Sequence, residues 1–101
     1  DFAACGDAIY LQADLPSGVN VRFDDKTGQQ LMTIEILSGV LTVKLYNNGS
    51  VVQTGTAGSG MTEKTYGVEV VTSQSSVTVT LDFVSVNIAI ATPLPMIKLA
   101  T

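Results

Sequence analysis

The sequence predicts an all-β fold: a single antiparallel β-sandwich of immunoglobulin-like or jelly-roll type, with about seven to eight strands. Three observations lead there. In Val77-Thr78-Val79-Thr80-Leu81-Asp82-Phe83, apolar and polar residues alternate with a period of two. That is the mark of a half-buried strand, because successive side chains of an extended chain point to opposite faces. Turn residues (Gly, Pro, Asn, Asp, Ser) punctuate the chain at the spacing of short strands, about 8–12 residues. No window shows a 3.6-residue apolar period, so no substantial helix is expected.

Each element follows from its local pattern. Asp7 to Ala13 reads as the first strand, and Asp14-Leu15-Pro16-Ser17-Gly18 as a turn. There Pro presets φ and Gly permits a positive φ. Val19, Val21 and Phe23 alternate with Asn20, Arg22 and Asp24 in a second strand, closed by the polar loop Asp24-Asp25-Lys26-Thr27-Gly28. Gln30 to Leu37 is the third strand, with Met32, Ile34 and Ile36 on one face. Ser38-Gly39 turns it into the fourth, Val40 to Tyr46, whose apolar face is Leu41, Val43 and Leu45. Asn48-Gly49 is the strongest local hairpin signal, since both residues tolerate φ > 0. A fifth strand follows from Val51 to Thr56, and a sixth from Thr65 to Thr72. The run after Val77 changes phase at Phe83-Val84 and continues as Val84, Val86, Ile88 and Ile90. A bulge or sharp bend is expected there, as where a strand leaves one sheet for another. The predicted core is Val21, Phe23, Ile34, Ile36, Val43, Leu45, Val79 and Leu81.

Composition bounds the function. The 101 residues fit one domain, 1–101, with one core. Hydrophobic residues make up 46% and charged residues only 14%, against a usual charged share of about 25%. So apolar a small domain is expected to meet a partner. Net charge is −4, and the five cations Arg22, Lys26, Lys44, Lys64 and Lys98 are scattered. Nucleic-acid binding needs them clustered, so no nucleic-acid partner is expected. No apolar stretch reaches the ~20 residues of a membrane-crossing helix, and no membrane role is expected. The chain opens on Asp1 rather than Met, as a processed product or part of a longer reading frame would. Cys5 is the only cysteine, which leaves no intrachain disulfide and suggests a buried thiol.

The chemistry that is missing is equally informative. There is no histidine, which removes the commonest general base, the usual catalytic triads and most zinc sites. No Gly-Lys-Ser/Thr follows the glycines at 55, 58 and 60, so no phosphate loop is present. No catalytic residue, cofactor or metal is expected. Asp24-Asp25, with Asp14 or Asp7, has the oxygen chemistry for Ca²⁺, but adjacent acids at a hairpin tip are more often a solvated turn. Asn48-Gly49-Ser50 matches the N-glycosylation triplet, and the hairpin explains the same residues. Tyr10, Tyr46 and Tyr66 are interface-type side chains that also suit core edges.

The stretch from Cys5 to Gly28 contains Leu15-Pro16-Ser17-Gly18 and Asp25-Lys26-Thr27-Gly28. It resembles the opening hairpin of small Ig-like β-sandwich modules in virion proteins of tailed bacteriophages, over about a quarter of the chain. The resemblance implies a structural, non-enzymatic module and brings no catalytic residues with it.

The expected function is therefore that of a structural protein assembling through sheet edges and termini, with copies of itself and other virion proteins as partners. A capsid-decorating or tail-associated role is the expected setting, and a virion or extracellular location follows. The alternative is a carbohydrate-binding or adhesin-type module using polar loops at one end of the sandwich. Phe2, Met96, Ile97 and Leu99 lie outside the strand alternation and are the expected interface residues. Pro93 and Pro95 hold the last segment extended. Residues 96–101 are then expected to add to a neighbour's sheet as an exchanged or added strand, the alternative being an edge strand on their own sheet.

Overall fold

Alternating strands have one apolar face each, and burying those faces requires two sheets packed together. The computed structural model describes residues 6–15, 19–62 and 64–100. Among them are nine strands: β1 (Ala8–Asp14), β2 (Asn20–Asp24), β3 (Gln30–Leu37), β4 (Val40–Asn47), β5 (Ser50–Ala57), β6 (Thr65–Thr72), β7 (Ser76–Leu81), β8 (Val84–Ala89) and β9 (Lys98–Ala100). They form two antiparallel sheets, ordered β1-β6-β7-β8 and β5-β4-β3-β2-β9. The fold is the all-β sandwich that the alternation predicts, and the described residues contain no helix.

The strand phases place the core. Val21, Phe23, Ile34, Ile36, Val43, Leu45, Val79 and Leu81 are all buried, together with Met32, Leu41, Val70, Val77 and Ile97. Leu15, read as part of a turn, is fully buried, and its N–H donates to the Lys64 carbonyl at 3.1 Å. Ser38-Gly39 and Asn48-Gly49 close two-residue hairpins with positive φ at all four residues (51°, 76°, 53° and 82°). This is the turn twist that suits antiparallel strands.

The phase switch at residue 83 proves to be a turn rather than a bend. Leu81 pairs with Val84, so Asp82-Phe83 is a two-residue hairpin tip, and β7 and β8 are neighbours in one sheet. Asp82 takes φ +52°. Its carboxylate accepts a 3.0 Å hydrogen bond from the Gly67 N–H and lies 2.9 Å from Lys64 Nζ. These contacts hold a non-glycine residue in a conformation it seldom adopts.

The last segment also departs from expectation. Rather than extending from the domain, β9 pairs with β2 of its own sheet, with Leu99 opposite Phe23. Ile97 is buried in the common core and Leu99 packs against it. The chain thus adopts the edge-strand alternative, because alternate apolar residues after the prolines find room beside Phe23. Phe2 and Cys5 lie outside the described residues.

β5 and β8 meet at one side of the sandwich, where Gln53 Nε2 donates to the Ala89 carbonyl at 2.9 Å. Gly55 permits the approach: a Cβ there would stand 2.5 Å from Val86 Cγ1 and 2.8 Å from Ile88 Cγ1.

Two predictions follow. Leu81→Asp should unfold the domain, since an unpaired core charge costs several kcal/mol, about its whole stability. A cooperative urea transition near wild type would show the phase of β7 to be wrong. Gly55→Ala should destabilise by about 1–3 kcal/mol through overpacking, more than the ~0.4–1 kcal/mol gained from a stiffer unfolded chain. Gly67→Ala is the control, because its Cβ would meet nothing closer than Asp82 Oδ1 at 3.5 Å. The urea midpoint should fall for the first and hold or rise slightly for the second, with the slope unchanged.

Candidate interaction surfaces

Strand direction gives the sandwich two poles. One carries the β1–β2 connection, the β3–β4 and β7–β8 turns and the crossing from β5 to β6. The other carries the β2–β3 and β4–β5 turns and the link from β8 to β9. Seven large apolar residues are exposed among those described, and only Tyr10 lies on a sheet face away from both ends. Val19, Leu37 and Phe83 are at the first pole, and Val51, Val52 and Met96 at the second.

At the first pole Phe83 is the extreme case, with its side chain entirely in water. Its mount is firm. Lys64 Nζ reaches Asp82 and also lies 4.9 Å from the centre of the Tyr66 ring. The Tyr66 hydroxyl donates to the Thr62 carbonyl, and Met61 N–H donates to Gly39 O at 2.9 Å. The crossing loop and the hairpin tip are therefore tied together.

At the second pole, the link from Ile90 to Pro95 passes over the mouth of the sandwich. It leaves a groove of about 510 Å³ lined by Leu31, Leu45, Tyr46, Val52, Ile90 and Leu94 among others. None of the lining residues is charged. Leu31 reaches this position because the β2–β3 register shifts after Phe23, pairing Asp24 with Gln30.

The sheet faces are hydroxyl-rich, with Arg22, Glu35 and Lys44 on one and Glu69 on the other. On the β1-β6-β7-β8 face, Thr80 and Ser85 share a 2.8 Å hydrogen bond and Asn87 donates to Thr78 at 2.7 Å. Tyr10 stands exposed opposite Glu69, whose carboxylate hydrogen-bonds the phenol and raises its pKa. On the other face, Thr33 and Thr42 are buried under longer neighbours. Thr33 is hydrogen-bonded to the Tyr46 hydroxyl at 3.1 Å, and Thr42 donates to the Val40 carbonyl at 3.2 Å.

The edges differ in length. β1 and β5 are long, whereas β9 has three residues. β5 contains no charged residue, and β1 has only Asp14 at its end. Natural edge strands are usually blunted by charge, proline or brevity.

Of the expected interface residues, Met96 is exposed at the second pole, Ile97 is in the core, and Leu99 is half-buried on β9. The structure therefore does not gather them into one patch. Phe83, Leu31 and Leu94 escaped the sequence reading. The available signals were an apolar residue beside Asp82 at a phase break and apolar residues flanking the prolines. The Asp24-Asp25 loop is an ordinary turn in its bonding. Asp25 Oδ1 accepts from Thr27 N (2.8 Å), Thr27 Oγ1 (2.6 Å) and Gln29 N (3.0 Å), while Asp24 pairs with Arg22 at 2.6 Å. Among the described residues no three His, Cys, Asp or Glu side chains gather as metal ligands. Asn48 accepts from Gln29 Nε2 at 3.3 Å at the tip of its hairpin. No helix of the described chain is long and apolar enough to cross a membrane.

No protein-family model, curated protein or solved structure matches this chain.

Two exposed carboxylates carry a pH signature. Lys64, then the Gly67 N–H, hold Asp82 below the usual carboxylate range, and the Thr27 hydroxyl does the same for Asp25. Asp82 in turn raises Lys64. A lowered carboxyl stabilises the fold above its unfolded pKa, and the contribution is lost as pH falls through the folded value. A raised lysine stabilises below its unfolded pKa, and that contribution is lost as pH rises through the folded value. Solvent screening keeps both contributions small. The melting temperature should therefore drop on acidification below the ordinary carboxylate range, and Asp25→Asn with Asp82→Asn should flatten that drop. An unchanged acid limb in the double variant would show that neither carboxylate contributes.

Proposed function

We propose that this chain is a non-enzymatic structural module that associates through its sheet edges, with copies of itself as the first partner. The observation that carries the reading is that three outer strands, β1, β5 and β8, have no charge along their length apart from the terminal Asp14. An edge strand offers a row of backbone donors and acceptors to any added strand, and charge is the usual means of blocking it. The hydroxyl-rich, weakly charged faces support the same reading, since little charge must be stripped of water on close approach. The proposed setting is a virion, as a capsid-decorating or tail-associated protein. Support for that setting comes only from the two turn motifs between Cys5 and Gly28; β1 and β2 lie in different sheets and form no hairpin with each other, and residues 16–18 lie outside the described structure.

The test places one charge on each edge. Gln12→Lys in β1 and Thr54→Glu in β5 both alter exposed side chains, so the fold should be kept. Sedimentation velocity should show concentration-dependent association of the wild type, weakened about tenfold or more by the variant at the edge in use. Association unaffected by either charge would remove β1 and β5 from the reading; Asn87→Lys, on the exposed side of β8, tests the third edge in the same way.

A further inference from the structure

We propose that copies of this chain join head to tail, the Phe83 ring of one copy seated in the groove between Leu31 and Leu94 of the next. This rests on the self-association reading and adds a second, axial contact to the edges.

The first argument is placement. Phe83 and the groove are at opposite poles, joined by β8, which begins just after Phe83 and ends just before Ile90. A knob at one end and a hole at the other cannot meet within one molecule, and they make a heterologous contact between two. Exposed apolar residues share both poles: Val19 and Leu37 are at the knob's end, Val51, Val52 and Met96 at the hole's end.

The second argument is charge. The groove lining has no charged residue. At the tip, Asp82 is already paired with Lys64 at 2.9 Å. Docking the tip in the groove therefore buries no unpaired charge from either lining or knob.

The third argument is preorganisation. Asp82 holds φ +52° through contacts with Gly67 and Lys64, and the neighbouring residue so presented is a phenylalanine in water. The backbone that carries Phe83 is thus held in place before binding, which lowers the ordering cost of docking.

The fourth is area. Eight-residue strands at about 3.4 Å per residue run ~27 Å, which matches the 32 Å axis of the molecule. The pole is then the 25 × 25 Å cross-section. An end face wholly covered would bury at most ~600 Å² per partner and ~1,200 Å² in total, which reaches the lower bound for a specific stable interface and would bring the charged Asp25 turn to the rim of the contact.

The experiment mixes two half-blocked chains. Phe83→Ser removes the knob and leaves the groove. Ala91→Lys places a charge at the groove mouth and leaves the knob; Ala91 is exposed, and Thr92→Lys, also exposed and lining, replaces it if folding suffers. In sedimentation velocity up to about 1 mM, the wild type should form a series of species growing with concentration. Each variant alone should keep its melting temperature and lose about tenfold or more in association. Mixed, with Gln12→Lys and Thr54→Glu added to both chains to block the edges, they should give a one-to-one dimer that grows no further, because only one good junction exists per pair. A mixture that stays at the level of the separate variants overturns the knob-in-groove pairing. If Phe83→Ser associates like the wild type, the axial contact fails and the edge reading stands. A wild type that remains monomeric overturns both.

Discussion

The two sheets are joined by side chains, since the strand pairing runs within each sheet and never between them. Everything else in the molecule depends on that apolar layer. Val70, Val77 and Val79 from one side and Ile34, Leu41 and Val43 from the other leave no room for water. A period-two strand cannot slip by one residue without turning its core set outward, so burial itself fixes register. The hairpins at 38–39, 48–49 and 82–83 then have only to reverse the chain at the right residue. Gly55 marks how tightly the layer closes at the side where β5 meets β8.

Once the core is spent on cohesion, chemistry must be sought at the surface, and this surface is made of hydroxyls. Every buried side-chain nitrogen or oxygen among the described residues has a hydrogen-bond partner. Thr33 and Thr42 are bonded within their own sheet, and the Thr-Ser-Asn pairs on the opposite face bond to one another. The ion pairs Arg22–Asp24, Lys44–Glu35 and Lys64–Asp82 lie at the surface, exposed or half-buried, and such pairs are worth little. What remains is the open backbone side of four outer strands, β1, β8, β5 and β9, and apolar side chains at two poles. Under the proposed reading, those are the groups through which copies of the chain associate.

The strands were legible because alternation is a local signal, and the eight core residues named from phase are all buried. The β7–β8 turn was not. Its tip carries neither glycine nor asparagine, and an apolar Phe83 continues the look of a strand. The carboxylate contacts that make Asp82 a turn residue come from Gly67 and Lys64, more than a dozen positions away. The end of the chain posed a different problem. Met96, Ile97 and Leu99 reveal an appetite for a sheet edge, but an edge of the same molecule and an edge of a neighbour offer identical hydrogen bonds. Only the geometry of the link over residues 90–95, which delivers Ile97 beside the core, decides where β9 goes. The groove that this link creates has no local signature either, since Leu31 and Leu94 are far apart in sequence.

The places of β1 and β9 bear on how the domain carries tension. Each is an outer strand, bonded along one side only, to β6 and to β2. β1 starts at the groove pole with Ala8, and β9 ends toward the opposite pole with Ala100, beside Arg22. A pull on these two residues along the long axis draws each strand parallel to its neighbour. Ladder bonds in an antiparallel pair lie across the strands, so such a pull loads them together in shear instead of peeling them one by one. The three-residue β9 is the weaker of the two clamps. Mechanical failure would begin there, with Ile97 drawn out of the core before the seven-residue β1 lets go.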